Sequence, residues 1–316
     1  GGERTNLLEK RVVSVADDEG DGTIVATANL PNQVFVLRPH DSEPIMLDAF
    51  DESVKMGAVA YEPNKQLVAG SVFTGPAEHK VIKVWDLDDG TVLVLGPSDG
   101  AGDSFIGGYW GLEFLEDGSL LTAARMDGVR RWDLEAGSSE VLLGGECGDG
   151  LAVAPDERLA LVACLQQDGA KKLVLLDLES REVFPLPRVP LLEDGKAFGF
   201  SPRGDAIAVG TNDGRILVGN PSMDDPHVLF GHDAVVYSLA FSPDGRLLAT
   251  ADQTGEIRVW PVPDVSKPPF HALPYAELMA KLQTMTNVIA VRDNDSPVGW
   301  TIDVGPFPGW AEVPEW

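Results

Sequence analysis

A turn motif that recurs between apolar runs is the feature of this sequence that most limits how the chain folds. The stretch "FSPDGRLLATADQTGEIRVW" (241–260) contains the turn "SPDG", followed by apolar residues that alternate with polar ones. The turn returns as "SPRG" (201–204) and, more loosely, as "APDE" (154–157), "LEDG" (115–118) and "EPNK" (62–65). Because alternation with a period of two is typical of β-strands, the chain repeats a strand–turn–strand unit.

Each repeat ends its third strand on an anchor residue. The anchors are Leu37, Trp85, Trp132, Leu176, Gly219 and Trp260, at a spacing of roughly 45 residues. We expect a short fourth strand after each anchor, as in "TVLVL" (91–95) and "EVLL" (140–143). Four strands in a repeat of this length are typical of one blade of a β-propeller, in which neighbouring blades stack and bury each other's apolar faces. The sequence therefore predicts an all-β chain with six clear blades.

The repeats resemble those of the WD40 family. The last repeat contains Gly231-His232, "FSPDG" and Val259-Trp260, and "VWDL" (84–87) and "RWDL" (131–134) contain the dipeptide that names the family. The resemblance covers residues 11–263 and implies a WD40-like β-propeller. The individual copies are degenerate, because only the sixth keeps the Gly-His pair.

The resemblance also implies a set of structural residues. A typical WD40 blade is stiffened by a hydrogen-bonded set of Asp, His, Ser or Thr, and Trp. In the last copy the matching positions are His232, Asp252, Thr254 and Trp260, with the acidic and hydroxyl residues exchanged in order. We expect these four residues to have a structural role.

The repeat is lost after Pro263, which divides the chain into propeller repeats (1–263) and a C-terminal extension (264–316). Apolar residues at helical spacing predict a short amphipathic helix at 275–285, and "NVIAVRD" (287–293) and "GWTIDVG" (299–305) predict two strands. Together with the isolated strand "TNLLEK" (5–10), these strands would form an atypical seventh blade that closes the ring. We prefer seven blades, and six blades with an attached cap is the alternative.

The terminal stretch "VGPFPGWAEVPEW" (304–316) resembles the end of bacterial WD40 proteins whose longer chains often contain a kinase or a caspase-like protease. The resemblance implies an effector domain in the same natural chain. Trp300, Trp310 and Trp316 could form a peptide-binding aromatic cluster or cover an exposed blade face. The second interpretation is favoured, because burial of large rings is the usual way in which an irregular tail is held.

Charge and cysteine content limit the partners and the compartment. A formal net charge of −26 repels phosphate groups, which argues against nucleic acid and anionic membranes as partners. Cys147 and Cys164 lack metal-ligand spacing, and two thiols do not make a disulfide framework, so we expect a reducing cytoplasm.

The sequence contains no motif for catalysis. The five histidines, His40, His79, His227, His232 and His271, show no pair at ligand spacing. We therefore expect no cofactor, no metal and no enzymatic activity. The alternative is a calcium-dependent propeller hydrolase, but the acidic stretch "DDEGDG" (17–22) lacks the ligand periodicity of known calcium loops.

In WD40 proteins the partner surface is commonly the face that bears the loops entering the first strand of each blade. The matching positions here are Lys55, Trp110, Cys147, Asp149, Asp194, Lys196, Val235 and Tyr237. Tyr and Trp often dominate binding at interfaces, although Trp110 could equally pack between blades. We expect a protein or peptide partner, and a role as a scaffold or recognition module in a larger bacterial signalling or defence protein.

Overall fold

The computed structural model describes most of the repeat region and part of the C-terminal extension. The described residues are 12–17, 23–29, 32–41, 43–47, 55–74, 81–96, 108–125, 127–167, 169–190, 197–285, 288–293 and 300–304. The predicted strand at 5–10 and the terminal residues 305–316, including Trp310 and Trp316, lie outside them. Within the described residues, no helix is long and apolar enough to cross a membrane.

Five four-stranded antiparallel sheets follow one another in the part of the chain that the structure describes, each with its strands in chain order. The first contains β1 (Val12–Asp17), β2 (Ile24–Asn29), β3 (Asn32–Leu37) and β4 (Ile45–Leu47), and the second β5 (Lys55–Glu62), β6 (Leu67–Thr74), β7 (Ile82–Asp86) and β8 (Val92–Leu95). The third contains β9 (Tyr109–Phe114), β10 (Leu120–Ala124), β11 (Gly128–Asp133) and β12 (Ser138–Leu143). The fourth contains β13 (Cys147–Val153), β14 (Leu159–Leu165), β15 (Lys171–Asp177) and β16 (Val183–Pro185), and the fifth β17 (Phe198–Phe200), β18 (Ile207–Gly210), β19 (Ile216–Gly219) and β20 (His227–Leu229).

The sixth sheet differs, because it has three strands within the described residues: β21 (Val236–Phe241), β22 (Leu247–Asp252) and β23 (Ile257–Pro261). A 3₁₀ turn (Phe270–Ala272), helix α1 (Tyr275–Met285) and a hairpin of β24 (Val288–Arg292) and β25 (Trp300–Val304) follow. The expectation of a fourth strand after every anchor is therefore wrong for the sixth copy. The residues beyond β23 include Pro263, Pro268 and Pro269, which lack the N–H that a paired strand donates.

The recurring turn motif connects the first and second strands of its sheet. In the last two copies, Gly204 and Gly245 both have φ of +70°, a conformation that glycine adopts without steric cost. The Gly245 N–H donates to the carbonyl of Ser242 at 2.8 Å, and the Gly204 N–H donates to Ser201 at the same distance. This geometry explains why the "SPDG" pattern ends in glycine.

The sheets stack in chain order, because the first strand of each sheet lies against the first strand of the next, from β1 through β5, β9, β13 and β17 to β21. The anchor side chains Trp85, Trp132 and Leu176 are buried in the cores that result. One such core joins the second and third sheets through Ile82 and Tyr109, both fully buried. This arrangement is a β-propeller, as the sequence predicts. The seventh, closing blade stays a prediction, since it requires the segment 5–10.

The first strands approach so closely that one contact requires glycine. A Cβ atom on Gly111 of β9 would overlap the Cβ of Leu151 in β13 and lie 3.2 Å from the backbone nitrogen of Leu151. We expect Gly111→Ala to lower the free energy of unfolding by about 1–3 kcal/mol, because it overpacks the contact between the third and fourth sheets. Urea denaturation measures this change.

The matched control for this prediction is Gly144→Ala. A Cβ there would meet only the Val141 side chain, at 3.9 Å. The control should therefore unfold at nearly the parental urea concentration. Equal stability of the two variants would contradict the close approach of β9 and β13.

Candidate interaction surface

The surface predicted to bind a partner is one end of the stacked sheets, which we call the entry face. It comprises residues 144–149, 166–167, 169–171, 211–215 and 231–237, together with Arg125. These residues share one end because, in an antiparallel sheet, the first strand begins where the second strand ends and the third begins. Loops from neighbouring sheets therefore lie side by side on this face.

A buried ion cluster joins the third and fourth sheets on the entry face. The Asp149 carboxylate in β13 is 1% exposed and accepts two hydrogen bonds from Arg125, which follows β10: Nε to Oδ1 at 2.8 Å and Nη2 to Oδ2 at 2.6 Å. Lys171, at the start of β15, places its Nζ 3.5 Å from Asp149 Oδ2. The hydrogen bonds that Arg125 donates to Asp149 raise the pKa of Arg125 above its ordinary value. Asp149 is thus directed into the blade interface, where it holds two blades together.

Removing the charge of Asp149 should destabilise the fold strongly. We expect Asp149→Asn to lower the free energy of unfolding by about 3–5 kcal/mol, because the Lys171 side chain, 8% exposed, loses its buried counterion. The control is Glu140→Gln, which breaks the half-exposed ion pair with Arg181 and should cost about 0–1 kcal/mol. Chemical denaturation of both variants distinguishes the two cases, and equal costs would contradict a structural role for the cluster.

The two cysteines lie beside this cluster and are bonded to each other. Cys147 of β13 and Cys164 of β14 are cross-strand partners, with their Cα atoms 3.9 Å apart and a disulfide between them. The expectation of two separate thiols is therefore wrong. The strand register, which sequence spacing does not reveal, brings the pair together. The cytoplasmic location accordingly loses its support from the cysteines and stays a prediction.

A hydrogen-bonded chain of side chains runs through the sixth sheet. His232, in the loop before β21, is buried, with Nε2 2.7 Å from the Thr250 hydroxyl and Nδ1 3.0 Å from the Asp252 carboxylate. The Trp260 indole N–H donates to the same hydroxyl at 2.8 Å. Because the Asp252 carboxylate only accepts, Nδ1 of His232 donates to it; in a neutral imidazole Nε2 then accepts from the Thr250 hydroxyl, whose oxygen accepts from the indole.

The hydroxyl that connects His232 and Trp260 belongs to Thr250, so the assignment of Thr254 to that position is corrected. Thr254 instead donates its hydroxyl to Asp252 at 2.6 Å from the turn that follows β22. A repeated spacing could have identified Thr250, since it precedes Trp260 by 10 residues, just as Thr122 precedes its own indole partner in the third sheet by 10.

Several donors converge on the Asp252 carboxylate. It accepts the Thr254 hydroxyl, the backbone N–H groups of Thr254 and Glu256 at 2.9 and 3.1 Å, and His232. These hydrogen bonds, the one from the Thr254 hydroxyl being the largest contribution, lower the pKa of Asp252 to about 2. The ionised form of Asp252 therefore fixes the turn after β22 against the loop that contains His232.

The lowered pKa of Asp252 has a consequence for stability at acid pH. An unfolded Asp has a pKa of about 3.9, so the contribution of Asp252 is complete above that pH and is lost as the pH falls towards 2. We expect Asp252→Asn to flatten the pH dependence of the melting temperature between these limits. A melting temperature that falls with decreasing pH as steeply as in the parent would contradict this role for the carboxylate.

One group within the described residues has the composition of a metal site. His232, Asp252 and Glu256 place potential ligand atoms within 4.8 Å of one another. Both ring nitrogens of His232 are, however, occupied by hydrogen bonds to side chains. The group is therefore organised as a hydrogen-bonded brace, which offers no imidazole nitrogen to an ion.

The remaining predicted contact residues lie at the starts of first strands. Lys55 begins β5, Trp110 is half-buried in β9, and Val235 is half-buried immediately before β21. Tyr237, the second residue of β21, has 41% of its surface exposed. Asp194 and Lys196 lie outside the described residues. Sequence reasoning missed Arg125 and Lys171, because their role depends on contacts between sheets.

Comparisons with known proteins agree with the fold. Residues 224–261 match the family described as WD domain, G-beta repeat. The WD repeat-containing protein SL1-17 of Schistosoma mansoni is 28% identical over 167 residues, which span 50% of this chain and 52% of that protein. The Protein LST8 homolog of Drosophila melanogaster is 24% identical over 77% of each chain, and the COMPASS component SWD1 of Saccharomyces cerevisiae is 35% identical over 22% of this chain and 17% of that protein. The matched residues thus span about half the length of the Schistosoma relative. The chain folds as a WD40-like β-propeller, and the matched WD40 repeat contains the last strand of the fifth sheet and the three strands of the sixth.

Proposed function

We propose that the chain is a non-catalytic scaffold that binds a protein or peptide partner on the entry face. The observation that carries the proposal is the exposed ring of Tyr237 on a braced segment of that face. The Gln253 N–H donates to the Val235 carbonyl at 2.8 Å, and the His232 network holds the preceding loop. An aromatic side chain on a rigid segment loses little conformational entropy on binding, and Tyr is enriched among residues that dominate interfaces.

The relatives support a role in assemblies. The yeast relative is named a component of COMPASS, and the Schistosoma relative is named for its WD repeats. A propeller suits this role, because its loops present several side chains on one rigid face. The hydrolase alternative gains nothing from the described residues, since His232, Asp252 and Glu256 are engaged in a structural brace.

The wider context is part of the same proposal. The terminal stretch 304–316 resembles the end of bacterial WD40 proteins with an effector, so we place the chain in a signalling or defence protein with its effector in the same natural polypeptide. In that arrangement the propeller recognises the partner in the cytoplasm and the effector responds.

The proposal predicts that the entry face contacts a partner in cells. A photo-crosslinking amino acid at position 237, introduced in the source organism, should give a discrete adduct that mass spectrometry identifies. The matched control is position 244, in the exposed turn at the opposite end of the same sheet. Tyr237→Ala should then weaken binding of the purified partner by about ten-fold or more, while the free energy of unfolding changes by less than about 1 kcal/mol.

Two results would contradict the proposed function. Adducts that form equally at positions 237 and 244 would indicate nonspecific collisions. A purified partner that binds Tyr237→Ala as tightly as the parent would place the interaction elsewhere.

A further inference from the structure

Among the described residues, the sixth sheet ends on an open edge. Each of the five preceding sheets has a fourth strand on the outer side of its third, whereas no described residue pairs with the outer side of β23. After Pro261 the chain turns at Asp264–Lys267 and crosses towards the fifth sheet, where His227 Nε2 lies 3.1 Å from the Lys267 carbonyl. The segment that directly follows β23 therefore lies against the fifth sheet and does not pair with β23.

The backbone of β23 shows which groups face this edge. Two hydrogen bonds at the ends of the β22–β23 pair show which residues of β23 are bonded to β22. Asp252 N–H donates to the Glu256 carbonyl at 3.0 Å, and Val262 N–H donates to the Arg246 carbonyl at 2.9 Å. Hydrogen-bonded and non-hydrogen-bonded pairs alternate in an antiparallel ladder. The N–H and C=O of Val259 consequently point away from β22, towards the open edge.

Apolar side chains are exposed along the same strand. Ile257, two residues before Val259, has the same backbone orientation, and the two side chains are 72% and 62% exposed. An edge strand with outward backbone groups and exposed β-branched residues is a template for the addition of another strand.

An apolar groove of about 850 Å³ lies next to this edge. Its walls include Leu229 and Phe230 at the outer strand of the fifth sheet, Trp260 and Pro261 of β23, and Pro269 and Phe270 of the crossing segment. Phe230 is largely exposed. A strand added to β23 would direct alternate side chains into this groove and the others to the side of Val259, because side chains alternate between the faces of a sheet.

The charge of the groove indicates the chemistry of its occupant. Lys267 and Lys281 line it; Lys267 Nζ lies 3.1 Å from the Asp264 carboxylate, and Lys281 Nζ lies 4.7 Å from the centre of the Phe270 ring. Asp264 is the sole acidic side chain among the described residues that line it. The groove is thus locally cationic in a chain with a net charge of −26, which is complementary to carboxylates.

We propose that the outer edge of β23 binds an extended segment of a partner protein in which apolar and acidic residues alternate. The segment adds a fourth strand to the sixth sheet through backbone hydrogen bonds to Val259. Its apolar side chains enter the groove, and its carboxylates lie near Lys267 and Lys281. This site is separate from the entry face, so it does not depend on the scaffold function proposed above.

The test uses a designed peptide and the purified full chain. The probe is a fluorescent peptide of about six residues in which Val or Phe alternates with Glu, a length typical of one strand. Fluorescence anisotropy should show saturable binding. A peptide with Lys in place of Glu should bind about ten-fold more weakly or worse, because it meets Lys267 and Lys281.

Methylated peptides test whether the backbone makes the contact. Two versions of the probe have every second amide methylated, one in each of the two possible phases. Only one edge of an added strand faces β23, so one version should lose binding and the other should keep it.

Variants of the chain locate the site. Val259→Pro removes the outward N–H at a position where an edge strand tolerates proline, so it should keep the parental melting temperature and weaken binding about ten-fold or more. The matched control Val259→Thr keeps the N–H and should bind like the parent. Lys281→Glu should reverse the preference between the Glu and Lys peptides.

Four results would overturn the proposal. The first is no saturable binding of the probe, and the second is equal binding of both methylated versions. Binding that begins only when Trp310 and Trp316 are both replaced by alanine would assign the edge to the chain's own C-terminal segment. A dimer in analytical ultracentrifugation that Val259→Pro dissociates would assign the edge to a second copy of the chain.

Discussion

The close contact between the first strands of consecutive sheets is the constraint on which the rest of the structure depends. Gly111 meets Leu151 where β9 lies against β13, and a Cβ on Gly150 of β13 would lie 2.8 Å from the Phe198 ring of β17. Glycine at these points lets the inner strands approach, and the larger side chains fill the space between the sheets farther out. The spacing of the blades in turn fixes the loops of the entry face, where Asp149 connects the third and fourth sheets.

The features that the sequence predicts well are those that local patterns encode. The turn motif and the anchor spacing predict the four-stranded sheets, and helical spacing predicts α1 at Tyr275–Met285. The Cys147–Cys164 bond and the Arg125–Asp149–Lys171 cluster were missed, because register and contacts between sheets create them. Thr254 was assigned to the hydrogen-bonded set, whereas the positions of the imidazole and the indole show that Thr250 supplies the hydroxyl.

The sixth sheet differs from the repeat pattern because of the residues that follow β23. Pro263, Pro268 and Pro269 follow β23, and each lacks the N–H that a paired strand donates, which disfavours a fourth strand at these positions. The two proposals place recognition on surfaces of different kinds. The entry face presents side chains on braced loops, whereas the edge of β23 presents backbone groups beside an apolar groove. Exposed charges act over about 8 Å at physiological salt. Lys267 and Lys281 therefore determine the electrostatic potential in the groove, although the whole chain is acidic.

The central proposal, that the outer edge of β23 is available to a partner strand, is tested most directly by amide hydrogen exchange of the free chain resolved to single residues. The N–H groups of Arg258 and Trp260 point to β22, whereas those of Ile257 and Val259 point outward. The account predicts that Ile257 and Val259 exchange at least about a hundred-fold faster than Trp260. Equal protection of Val259 and Trp260 would show that another strand already covers this edge and would contradict the account.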